Sequence, residues 1–115
     1  MEDELSLLRA AAQVIESRKG ERLVLVDLNE STIPTSYFLI AQGKSEVQVR
    51  AIARALLEDL PIDPDRREGV GEGRWVLLDY GEFVVHLFVE EARDFYDLEG
   101  LWPDCVVDDW RPAIG

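Results

Sequence analysis

The chain has 115 residues, 24 acidic against 12 basic, with a formal net charge of −12, one histidine and one cysteine. A surface that acidic repels a phosphate backbone instead of releasing its counterions, which disfavours direct nucleic-acid binding. Cys105 cannot close an internal disulfide, and with His86 as the single imidazole no zinc site built on several histidines or thiolates can form.

The 47% hydrophobic content predicts a single folded domain over residues 1–115, with 106–115 as a partly ordered tail. No apolar run approaches the roughly 20 residues of a membrane span, and the opening "MEDELSLLRA" is acidic where a secretory signal is basic. A cytoplasmic protein is therefore expected. The acidic balance suits a basic protein partner and also serves solubility.

Residues 3–17 place Leu5, Leu8, Ala12 and Ile15 on one helical stripe, closed by Arg18-Lys19-Gly20. "RLVLVDL" from Arg22 reads as a strand covered on both faces, and "NESTIPTS" as loop chemistry. "YFLIAQG" is a second buried strand. From Ser45 the spacing of Val49, Ile52, Ala53, Leu56, Leu57 and Leu60 predicts a second amphipathic helix, ended by Pro61. "PIDPDRREGVGEG" reads as a long loop with little structure of its own. "RWVLLDY" and "EFVVHLFV" are two strands joined so tightly at Tyr80-Gly81-Glu82 that an antiparallel hairpin is expected. A third helix runs from about Glu90 to Leu98 with Gly100 as its stop, and Val106-Val107 could add an edge strand. The fold class is α/β: a mixed sheet of about four to five strands with helices packed on it. The short link between the first two strands makes them antiparallel neighbours.

Strand, glycine, "KS" and helix imitate a phosphate-binding loop, but the first glycine of that motif falls on Phe38. Ser45 is better explained as an N-cap, boxed with Gln48, and Gly43 as the turn before it. No Gly-x-Ser-x-Gly elbow accompanies His86, which fits a hydrogen-bonded residue in or at the rim of a binding surface. Asp63-Pro64-Asp65 and Asp108-Asp109 could hold magnesium in a nucleotidyltransferase-like enzyme, with Asp27 as a further candidate, although solvated loop charges explain them more simply.

The tract from Arg74 to Trp102 concentrates Trp75, Tyr80, Tyr96, Trp102, three phenylalanines and His86 among Asp79, Glu82, Glu91 and Glu99. Large rings set among carboxylates anchor protein interfaces and complement a basic partner. Trp75, Leu77 and Asp79 share one strand face while Val76, Leu78 and Tyr80 share the other; spacing alone leaves open which is buried.

"VLVDLNESTIPTSYFLIAQGKSEVQVRAIA" and "EGVGEGRWVLLDYGEFVVHLFVEEARDFYDLEGLWPD" resemble the ribosomal silencing factor, or Iojap-like, family from Leu23 to Asp104. Asp27, Ser31, Tyr37, Gly43, Ser45, Trp75, Asp79, Gly81, His86, Arg93, Tyr96 and Trp102 stand where that family's pattern places them. The resemblance implies a nucleotidyltransferase-like domain without that activity and without cofactor or metal, which is a homodimer when free. It further implies binding to the large ribosomal subunit through its fourteenth protein by the universal count. Blocked subunit joining and repressed translation under nutrient limitation would follow. On this resemblance the partner-binding residues are Trp75, Leu77, Asp79, Tyr80, His86, Glu91, Tyr96 and Trp102, with Trp75, Leu77 and Tyr80 as apolar anchors. This chain departs from the family at Ser36, where Asp is usual, and at Pro34, Lys44 and Glu82.

Overall fold

A computed structural model describes residues 4–107. In chain order it contains α1 (Glu4–Ser17), β1 (Glu21–Asp27), β2 (Tyr37–Gly43), α2 (Glu46–Asp59), β3 (Arg66–Glu68), β4 (Trp75–Asp79), β5 (Phe83–Val89) and α3 (Glu90–Tyr96), followed by 3-10 turns at Leu98–Leu101 and Pro103–Cys105. The strands form one sheet in the order β1-β2-β5-β4-β3, antiparallel except for the parallel pair β2 and β5. This is the mixed α/β sheet that the apolar runs predict. β5 lies at its centre and all of its residues are buried.

Alternation along the strands sorts the sheet into two faces. Leu39, Ala41, Val76, Leu78, Val85 and Leu87 point to one, where α1 and α2 cover them with Leu8, Ala12, Ile15, Val49, Ile52, Ala53 and Leu56. Leu5 is exposed, and Ala11 takes the inward place. The two helices are tied end to end. Ser45 Oγ accepts the Gln48 N–H at 3.2 Å, while Gln48 Oε1 accepts from Lys44 N at 2.7 Å and its Nε2 donates to Lys19 O at 3.0 Å. The capping box is thus shifted by one residue, because Gln48 also serves the end of α1. Gly43 is favoured by close packing and not by a turn: a Cβ there would crowd Val49 Cγ2 at 3.0 Å.

On the opposite face Phe38, Ile40 and Gln42 of β2 lie beside Val84, His86 and Phe88 of β5, and these beside Asp79, Leu77 and Trp75 of β4. α3 and the 3-10 turns cover part of it. Tyr96 packs on Trp75 with centroids 4.8 Å apart, and Trp102 meets Phe38 edge-on at 5.4 Å. The segment is held down by Arg93, only 1% exposed, whose Nε and Nη2 donate to Glu99 Oε2 at 2.9 and 2.7 Å and whose Nη1 donates to Arg22 O at 2.8 Å. Arg22 offers that carbonyl from a left-handed conformation, φ 51°, at a register shift in β1.

Several expectations need correction. The loop after Pro61 contains β3, whose exposed Arg66, Arg67 and Glu68 pair with Asp79, Leu78 and Leu77. α3 ends at Tyr96, and its stop is Asp97 at φ 43°, with N–H bonded to Arg93 O at 2.9 Å; Gly100 belongs to the following 3-10 turn. A short polar side chain tolerates the left-handed region that usually calls for glycine. β1 is covered on both faces only around Leu25 and Val26, because it is an edge strand. Val106 forms one antiparallel bridge to Val26, and Val107 N donates to Leu25 O at 2.9 Å. Asp108-Asp109 and the rest of the tail to residue 115 lie outside the described residues.

Removing Arg93 strands the Glu99 carboxylate under the turn. Arg93→Ala is expected to lower the unfolding free energy in urea by about 3 kcal/mol, whereas Leu101→Ala on the exposed turn should change it by less than about 0.5 kcal/mol. A loss below about 1 kcal/mol for Arg93→Ala would show that the clamp contributes little.

Candidate functional site

α3 is too short to reach across the sheet, so the β4 and β3 side of the second face stays open. Trp75, Leu77 and Asp79 are half-buried there, beside exposed Arg66 and Glu68. Glu68, Gly69, Glu72, Trp75 and Leu77 line a shallow groove, which continues past Arg74 to Tyr96. Gly69, at φ 75°, closes one wall, where any side chain would collide with the Trp75 carbonyl. Trp75 is the hub: its ring lies 4.8 Å from both Phe88 and Tyr96, and its Nε1–H donates to His86 Nδ1 at 3.1 Å.

His86 sits beneath this surface and not at its rim. It is 4% exposed, with Phe38 edge-on at 4.6 Å, and its Nε2 has no hydrogen-bond partner among the described residues. Burial pushes its pKa down to about 4 against the opposing Asp79 charge. Tyr80 is also displaced from its expected role. It is 9% exposed on the opposite side of the sheet, stacked on Phe83 at 5.0 Å, and burial raises its pKa to about 12. As the next residue after Asp79 it points away from Trp75 and Leu77, so it cannot act as an anchor alongside them.

The other expected residues are distributed as follows. Asp79 lies on the open face, its Oδ1 accepting the Gly81 N–H at 2.8 Å. Glu91 is exposed on α3, Tyr96 is exposed beside Trp75, and Trp102 is half-buried against Phe38. The partner-binding residues expected from the sequence leave out Phe95, 77% exposed, and Leu101, 67% exposed, which add exposed apolar area on the segment that carries Tyr96. The signal was the doublet Phe95-Tyr96: neighbours on a helix point about 100° apart, so only one of them can pack on the sheet. Glu68 and Glu72 line the groove beside Trp75, and Glu91 and Asp97 are exposed on the covering segment; Arg66 is paired with Glu68 at 2.8 Å and Asp94 with Arg22 at 2.9 Å.

The candidate magnesium ligands are not brought together. Asp27 ends β1 at one edge of the sheet, whereas Asp63 and Asp65 precede β3 at the other. Four strand spacings, about 19 Å, separate these edges, against the roughly 4 Å between metals of a two-metal site. Among the described residues no group of three His, Cys, Asp or Glu side chains is arranged to hold a metal ion. What the open half-face offers is apolar area, shape and negative charge.

The burial of His86 ties stability to pH. Its ordinary value is 6.5, so between about pH 6.5 and 4 the unfolded chain takes up a proton that the native state refuses. Stability is complete above this window and falls as pH drops through it, by up to about 3 kcal/mol. Glu99 acts lower still: burial opposes its charge, but the Arg93 hydrogen bonds prevail and hold it below 4.5, so its contribution is lost only further down. His86→Phe should abolish the first decline and keep the second in urea titrations at about pH 7, 5.5, 4.5 and 3.5; an unchanged first slope would contradict the assignment.

Comparison with known proteins agrees with this architecture. The family model described as ribosomal silencing factor during starvation matches residues 1–114. The chain is 37% identical over 107 residues to ribosomal silencing factor RsfS of Bacillus subtilis, covering 90% of this chain and 91% of that protein. It is 33% identical over 86 residues to a mouse protein named mitochondrial assembly of ribosomal large subunit protein 1, covering 70% of this chain and 38% of that one. A Chromobacterium violaceum crystal structure superposes with a TM-score of 0.83 at 30% identity, over 99% of this chain and 95% of that one. The chain therefore belongs to the ribosomal silencing factor family.

Proposed function

We propose that this protein silences ribosomes by occupancy: it binds the large subunit through that subunit's fourteenth protein by the universal count, at the face where the small subunit docks. Subunit joining is thereby blocked, and translation is repressed when nutrients are limiting. The observation that carries the reading is the half-face left open beside β4, where Trp75 and Leu77 form an apolar centre within a frame of carboxylates. An apolar centre with a charged rim is the anatomy of a protein interface, and the negative frame suits the basic surface of a ribosomal protein. Family membership and the words "ribosomal large subunit" in the name of the mouse relative support the same partner.

In this reading Trp75 and Leu77 are the anchors, flanked by Tyr96 and Trp102, while Asp79 and Glu91 face cations on the partner. Tyr80 supports the sheet from behind. The protein works in the cytoplasm, is a homodimer when free, and needs no cofactor and no turnover.

Sucrose-gradient sedimentation with purified large and small subunits tests the proposal. Wild-type protein should travel with large subunits and suppress their joining to small ones. Trp75→Ala and Leu77→Ala should each weaken binding by about 2 kcal/mol, roughly thirtyfold. Asp79→Asn and Glu91→Gln should mainly slow association and flatten its salt dependence. A folded Trp75→Ala protein that co-sediments as wild type does would place the interface elsewhere.

A further inference from the structure

We propose that His86 is the positioning residue for Trp75: its Nδ1 holds the indole in the one orientation that presents the ring to the open half-face. The inference rests on the docking reading above. An indole nitrogen only donates, so the imidazole nitrogen facing it at 3.1 Å is unprotonated, and the proton of neutral His86 sits on Nε2. The sheet register makes the contact possible. Trp75 stands opposite Phe88 and His86 opposite Leu77, which leaves Trp75 and His86 as diagonal neighbours within reach of long side chains.

Phe88 and Tyr96 confine Trp75 through ring contacts, tilted at 32° and 45°. Such contacts tolerate a flipped indole, whereas the bond to His86 does not. A flip would carry Nε1–H away from β5 and leave Nδ1 without its donor in a site closed to water. Docking a ring already held in one rotamer avoids the ordering cost that a free tryptophan incurs. Two further observations agree. Burial keeps His86 uncharged at neutral pH, so its lone pair stays available. Its Nε2–H is buried with no partner among the described residues, a penalty that a phenylalanine of similar shape would not carry; the bond to Trp75 accounts for the imidazole.

Three variants separate this role from simple packing. In His86→Asn the amide oxygen reaches about the place of Nδ1. His86→Gln carries its amide out towards Nε2 instead, and His86→Phe fills the ring's space with no acceptor. Exchange of the Trp75 indole N–H with D2O is followed by nuclear magnetic resonance, its signal assigned through Trp75→Phe. Exchange should be slow in wild type and His86→Asn, and about tenfold faster in His86→Phe and His86→Gln. Affinity for purified large subunits should follow that order, falling about tenfold in His86→Phe. Stability should not follow it: His86→Phe, which buries no unpaired polar atom, should be more stable than His86→Asn and His86→Gln.

Equal indole exchange in wild type and His86→Phe would overturn the positioning role. Faster exchange in His86→Phe with undiminished subunit binding would overturn its part in docking. If wild-type protein binds no subunits, the docking reading fails by itself, while the exchange rates still decide whether His86 holds Trp75.

Discussion

The guanidinium of Arg93 carries a full positive charge at 1% exposure and spends all three nitrogens on fixed partners, Glu99 and the carbonyl of Arg22. This one set of bonds joins the last helix to the first strand. A helix of seven residues is marginal alone, so its place over the sheet depends on what it is tied to. Because the tie lies on the β1 side, the cover stops short of β4, and the rings of Trp75 and Tyr96 are left at the boundary between wet and dry. The charge that closes one half of the face thus determines which half stays open.

The two faces of the sheet accordingly differ in kind. Beneath α1 and α2 the packing is mainly aliphatic and sealed, with Leu39, Val85, Leu87, Val76, Ile52 and Leu56 in one buried cluster and a single stacked pair, Tyr80 and Phe83, on the same side. On the other side the layer is aromatic, with Phe38, His86, Phe88 and Trp75 passing contacts from β2 across to β4. Rings suit a half-covered face because each buries a large area yet tolerates a wet edge. Carboxylates around them keep such a surface soluble while favouring partners of opposite charge.

Much of the fold was legible because the local signals agreed with the final contacts. The periodic residues of α2, the apolar runs of β2 and β5 and the tight Tyr80-Gly81-Glu82 link all became the elements they suggested. β3 was not legible: "RRE" holds no apolar residue, and it is a strand only because the free edge of β4 offers it hydrogen bonds. Asp97 in place of Gly100 as the helix stop rests on a backbone bond to Arg93 in a left-handed conformation, where propensity alone ranks glycine first. At the site, the split of Trp75 and Leu77 from Tyr80 lay in the alternation itself, but which side was covered depended on where both long helices packed. The depth of His86 was hidden for the same reason, since its neighbours Phe38 and Trp75 come from separate strands.

The charged character of β3 has a further consequence. A sheet with a bare, apolar outer strand invites the next molecule to add its own strand, and the next after that. Here the β3 margin is three residues long and built from Arg66, Arg67 and Glu68, while the β1 margin is partly occupied by Val106 and Val107. Neither rim is a good template for growth by edge pairing, which guards a protein with exposed rings against running into fibrils.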